Sequence, residues 1–164
     1  MSKKKIIGAC ICTVIGLGAF LPDDSALCSK TYAAQYAYVD NGSEQNNLGV
    51  DCFKREDYNN GLLYFSKAIS LSSNNAIYYT NRGETYLYLK KYDAAISDFS
   101  KAISLGEESW YTYYNRGLAY HKINKVSLAI DDYSKVIELN PKYQYAYHNR
   151  AAMYSRTKEY KKSA

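Results

Sequence analysis

Histidine is nearly missing from this 164-residue chain: only His121 and His148 occur. No glycine-rich loop of the phosphate-cradling kind is present, and no nucleophile stands in a pattern with a base. These gaps exclude the common routes to catalysis, so no enzyme, cofactor or metal site is expected. Charge of one sign is also scarce. The formal net charge is +5, and the N-terminal stretch holds part of it as Lys3, Lys4, Lys5 and Lys30 against Asp23 and Asp24. A nucleic-acid footprint needs a concentrated basic face, which the remainder lacks. Lys67, Lys101 and Lys135 recur at equivalent outer positions and read as a solvated face.

A long hydrophobic run occurs once, as the uncharged stretch from Ile6 to Leu21, closed by Pro22, Asp23 and Asp24. Three lysines before an apolar stretch form the pattern of a secretory signal. A membrane span needs about 20 residues, so the stretch is short for one, and Gly8, Gly16 and Gly18 weaken it as a helix. Residues 1–33 are read as a cleaved signal peptide, with an uncleaved membrane anchor as the alternative. Export to the periplasm, cell envelope or medium is expected, with membrane contact only through this segment if it is retained. Cysteine is sparse as well. Cys10 and Cys12 lie inside the apolar stretch, and a cut after Ala33 also removes Cys28. Cys52 alone cannot form an internal disulfide and reads as a small buried hydrophobe.

Tyrosine, by contrast, is abundant: 20 Tyr stand against four Phe and one Trp. So is repetition. SKAISL runs from Ser66 to Leu71 and again from Ser100 to Leu105, and SKVIEL follows from Ser134 to Leu139. NLG at Asn47–Gly49, NRG at Asn81–Gly83, NRG at Asn115–Gly117 and NRA at Asn149–Ala151 keep the same 34-residue beat. Two independent strings at one spacing mean stacked supersecondary units. Residues 34–41 read as linker. The units run 42–75, 76–109 and 110–143, with a partial unit over 144–164.

Each unit reads as two amphipathic helices. Tyr79, Gly83 and Tyr86 mark one face; Tyr92, Ala95, Ile96, Phe99, Ala102 and Ile103 mark the next. Neither helix buries its apolar face alone, and stacking does so. In the third unit, Tyr113, Arg116-Gly117, Tyr120, Ala129, Tyr133, Val136 and Pro141 fall at set places. In the first, Leu48-Gly49, Cys52, Gly61, Phe65 and Ala68 do. This pattern resembles the tetratricopeptide repeat (TPR), which implies an all-α solenoid of about three and a half helix-turn-helix repeats. A solenoid of this kind serves protein–protein interaction, and the family alone does not name the partner.

Comparing the copies adds detail. Arg82, Arg116 and Arg150 stand where the family has Leu, and Asp98 and Asp132 appear in the second helix of the units that have the Arg. The first unit has Leu48 and Tyr64 instead. Pairs Arg82–Asp98 and Arg116–Asp132 are expected as half-buried braces within their own units. Arginines snorkelling to water are the alternative.

The resemblance implies a concave groove lined by the first helix of each unit. One groove column is uniform: Asn47, Asn81, Asn115 and Asn149. An Asn row can hydrogen-bond an extended backbone without reading its sequence, or can bridge neighbouring repeats. Tyr88, Tyr111, Tyr114 and Tyr145 offer rigid aromatic area of the kind that anchors interfaces, and His121 and His148 lie in the same groove. The two histidines sit about two turns out of step on neighbouring helices, which argues against a shared metal.

TPR co-chaperones grip acidic tails with cations at places filled here by Asn46, Tyr111 and Asn115. From that gap an acidic chaperone tail is not expected as the ligand. The reading is therefore an exported TPR protein that binds a protein or extended peptide as a scaffold or adaptor, with no nucleic acid. The alternatives are a self-associating piece of a longer repeat array and a membrane-tethered adaptor.

Overall fold

The computed structural model of the chain describes residues 41–163, with side chains over 42–156. The signal or anchor read over 1–33, and all but the last residue of the linker, lie outside the described residues. Those described form helices without strands: α1 (Asn41–Lys54), α2 (Tyr58–Leu71), α3 (Ala76–Tyr88), α4 (Tyr92–Ser104), α5 (Trp110–Lys122), α6 (Val126–Leu139) and α7 (Gln144–Ser163). Consecutive helices pack as antiparallel hairpins, and first helices of neighbouring units also touch, α1 with α3 and α3 with α5. Among the described residues no helix is long and apolar enough to cross a membrane.

Local chemistry sets the helix ends. Asp57, Asn75 and Ser109 cap α2, α3 and α5 by accepting from Asn60 N, Ile77 N and Thr112 N, which satisfies donors that a helix start leaves bare. Within each unit the turn between helices takes one residue at positive φ: Glu56 (60°), Lys90 (60°) and Asn124 (61°). The next amide then reaches back to the first helix, from Asp57 N to Cys52 O at 2.9 Å, from Lys91 N to Tyr86 O at 2.8 Å and from Lys125 N to Tyr120 O at 2.9 Å. A left-handed residue followed by a backward amide bond is a common way to end a helix.

The core is a row of rings set against glycines. Phe65, Phe99 and Tyr133 are at most 1% exposed. A Cβ added to Gly49 would stand 2.6 Å from Phe65, and one added to Gly83 or Gly117 would stand 3.0 Å from Phe99 or Tyr133. The missing side chain thus seats the ring, and Ala68, Ala95, Ala102 and Ala129 let the helices close around it, all with no exposed surface. Interiors pack at crystal-like density, so a one-methyl change at such a seat is felt.

Candidate functional site

Arginine occupies the seam between repeats. Arg82 donates from Nε and Nη2 to Asp98 at 2.7 and 2.8 Å, and from Nη1 to Ser66 Oγ at 3.1 Å. Arg116 does the same with Asp132 at 2.9 and 2.7 Å and with Ser100 Oγ at 3.1 Å. The structure therefore brings together both sequence-paired couples as two-pronged ion pairs. It adds a partner that sequence comparison had not assigned: the serine of the preceding unit. That Ser is the first letter of each repeated SKxIxL string, sixteen residues before the Arg, as the Asp lies sixteen after. Tyr79 and Tyr86 flank the Arg82 guanidinium at 5.8 and 5.9 Å. One side chain thus ties its own unit to the one before it.

The other face carries the pockets. Glu84, Leu87, Tyr88, Tyr111, Asn115 and Leu118, all from α3 and α5, line an open hollow of about 390 Å³. A smaller one of about 100 Å³ lies between α1, α2 and α3, lined by Val50, Phe53, Phe65, Asn81 and Glu84. Glu84 belongs to both. It accepts a short hydrogen bond from the Tyr111 hydroxyl. Burial and this carboxylate push the Tyr111 pKa far above that of a free tyrosine, so the hydroxyl stays a donor.

The asparagine column divides by environment. Asn47 is exposed. Asn81 donates from Nδ2 to Asn46 Oδ1 at 2.8 Å, and Asn149 from Nδ2 to the Tyr114 hydroxyl at 3.2 Å. Both reach the first helix of the preceding unit. Asn115 is only 7% exposed. It faces the Tyr111 oxygen closely enough to draw that hydroxyl's pKa back somewhat, yet its Nδ2 makes no hydrogen bond of ordinary geometry.

The aromatics also sort. Tyr88 (56% exposed) and Tyr145 (66%) are open, and Tyr111 stands at 36%. Tyr88 stacks on Tyr58 at 5.4 Å and meets Phe53 edge-on at 5.1 Å. Tyr114 packs between helices, edge-on to Tyr143 at 4.9 Å and 6.0 Å from Tyr133. Tyr143 also contacts Trp110 at 4.7 Å and has its pKa pushed up to about 12 by burial and by Tyr114. His121 is half-buried near the end of α5, and His148 is exposed on α7. Burial, Arg156 and Lys122 lower the pKa of His121 and keep it neutral. Among the described residues no group of three or more His, Cys, Asp and Glu is placed to hold a metal ion.

Human serine/threonine-protein phosphatase 5 is 47% identical over 45 residues, covering 27% of this chain and 9% of that protein's length. The first TPR of Spaghetti (RPAP3), solved with the HSP90 peptide SRMEEVD, is 27% identical with a TM-score of 0.69. The match covers 71% of this chain and 92% of that one. The second TPR domain of human RPAP3, solved with the HSP70 peptide SGPTIEEVD, is 25% identical at TM-score 0.64, covering 68% and 97%. These complexes overturn the exclusion of an acidic chaperone tail. That exclusion rested on missing cations at Asn46, Tyr111 and Asn115, which presumes a single way of holding the peptide. Neutral donors also bind carboxylates, and Lys122 on α5 and Arg156 on α7 stand exposed. A sequence profile of the tetratricopeptide repeat matches residues 76–108 and 110–143, and a second covers 133–163. With helix pairs at the 34-residue spacing throughout the described chain, the chain belongs to the tetratricopeptide repeat family.

Proposed function

We propose that the face formed by α1, α3, α5 and α7 binds an extended peptide of a partner protein, as a scaffold or adaptor does. The supporting observation is Asn115. A buried amide donor with no hydrogen bond of ordinary geometry costs up to about 1–3 kcal/mol, and this one, set against the Tyr111 hydroxyl, borders the hollow between α3 and α5. A peptide carbonyl entering there satisfies it, while Leu87, Leu118, Tyr88 and Tyr111 receive the neighbouring side chain. Asn81 and Asn149 already donate to neighbouring repeats, so the main-chain contact concentrates on Asn115 and exposed Asn47.

The peptide SRMEEVD, held by the Spaghetti domain, is the first ligand to try, with Lys122 and Arg156 available to its carboxylates. Calorimetric titration of the full chain should show saturable binding that Asn115→Ala weakens about tenfold, the worth of one good hydrogen bond. Thermal stability should hold or rise, because the variant removes an unpaired buried amide. Binding that Asn115→Ala leaves intact refutes the site. Binding kept but stability lost by several degrees assigns Asn115 to structure instead. Export rests on Lys3–Lys5 and the stretch Ile6–Leu21 alone, and the mass of the mature N-terminus decides it.

A further inference from the structure

We infer that the hollow between α3 and α5 selects an arginine of the bound peptide, with Glu84 as its counter-charge. This rests on the peptide-binding reading above and names the side chain that the hollow takes. Glu84 stands on the wall shared by the two hollows, and neither is lined by Lys, Arg or His. Its Oε1 accepts from the Tyr111 hydroxyl. That bond holds the carboxylate in one pose and leaves Oε2 for a ligand. It cancels no charge, because burial and Glu84 itself keep the tyrosine protonated. The seam carboxylates, Asp98 and Asp132, each hold an arginine. Glu84 is half-buried, and among the described residues no cation pairs with it.

The rest of the hollow suits a guanidinium on a long apolar stem. Leu87 and Leu118 offer the stem an apolar wall, and Tyr88 and Tyr111 offer the planar head two rings, which attract a cation through their faces. The chain already builds this combination inside its own core. Arg82 lies between Tyr79 and Tyr86 and pairs with Asp98, and Arg116 lies between Tyr113 and Tyr120 and pairs with Asp132. An apolar side chain would fill the hollow too, but it would strip water from the Glu84 carboxylate and return nothing. An acidic one would add like-charge repulsion. The buried Nδ2 of Asn115 borders the same hollow. It receives the peptide carbonyl, so the arginine is the residue next to that contact.

The probe is the capped pentapeptide AARAA, titrated into the isotope-labelled full chain and followed by NMR. Saturable shifts are expected at the backbone amides of Glu84, Asn115 and Leu118. Replacing the arginine with citrulline, which has the same shape without the charge, should weaken binding about tenfold, the worth of one charged hydrogen bond. Glu84→Gln keeps the shape and an acceptor for Tyr111, and should weaken the arginine peptide by the same factor. Combining the two changes should add little. The citrulline arm alters the peptide alone, so it decides the matter whatever Glu84→Gln does to the fold. No saturable shift from AARAA, or equal affinity for the citrulline peptide, overturns the inference. If Asn115→Ala weakens both peptides while they bind alike, the peptide site stands and only its choice of arginine falls. Arginine-dependent binding that Asn115→Ala leaves intact supports the Glu84 contact and removes the main-chain one.

Discussion

Removing Arg116 while leaving Asp132 in place tests how the seam between repeats is held. The Asp132 side chain is 6% exposed and that of Arg116 18%. Burial raises the pKa of Asp132, and the guanidinium pulls it only part of the way back. The carboxylate is therefore strained by its surroundings and tolerated because of its partner. Breaking a fully buried ion pair from one side costs about 3–5 kcal/mol. The partly exposed guanidinium puts Arg116→Ala near about 3 kcal/mol on that scale. Asp132→Asn keeps the shape and one acceptor, and the arginine keeps Ser100 and its flanking rings, so it should cost about 1 kcal/mol. The double variant leaves no stranded charge and should be more stable than Arg116→Ala alone.

Acid supplies the second readout. In Arg116→Ala the folded-state pKa of Asp132 stands still further above the unfolded value of about 3.9. A carboxyl whose pKa is raised by folding binds its proton more tightly in the native state. Its stabilising effect is present at low pH and lost as pH rises through the interval between the two values. Urea unfolding followed by circular dichroism should therefore show the gap between Arg116→Ala and the Arg116→Ala/Asp132→Asn double variant closing from pH 7 towards pH 4.5. A loss under about 1 kcal/mol for Arg116→Ala, the level of an exposed pair, would refute the reasoning, as would a gap that does not change with pH.

Gly49→Ala places a methyl 2.6 Å from Phe65, whereas Gly61→Ala meets only ordinary contact at 3.5 Å. The first should lose about 2 kcal/mol by overpacking and the second should gain about 1 kcal/mol in helix propensity, both measured by urea unfolding. Lys90 holds φ at 60°, so Lys90→Gly should raise stability by several tenths of a kcal/mol or more, about the cost of that conformation for an ordinary residue; a loss would show that the Lys90 side chain makes a contact of its own. The buried Tyr133 hydroxyl has no hydrogen-bond partner of ordinary geometry. Tyr133→Phe should therefore leave the melting temperature level or raised, and a fall of several degrees would mean the hydroxyl is satisfied.

Periodicity made the architecture readable because it reports a constraint shared by every copy. Each of the three full units needs a glycine where its second helix brings the ring, and Gly49, Gly83 and Gly117 recur for that reason. The Arg and Asp were readable for the same cause: among the three full units they occur together in the second and third and are both missing from the first. The serine was equally periodic and went unassigned, since Ser66, Ser100 and Ser134 read as ordinary small polar residues of a helix, and only the packed seam shows which Arg atom reaches them. The groove was less legible. Four identical asparagines stand in four different environments, because what each meets depends on the neighbouring residue in the copy before it. Asn81 meets Asn46 and Asn149 meets Tyr114, while Asn115 is turned against a tyrosine that Glu84 already holds. Internal symmetry therefore predicts what the repeats do for one another. The proposed binding site sits where that symmetry breaks, at the amide of Asn115 beside the hollow between α3 and α5.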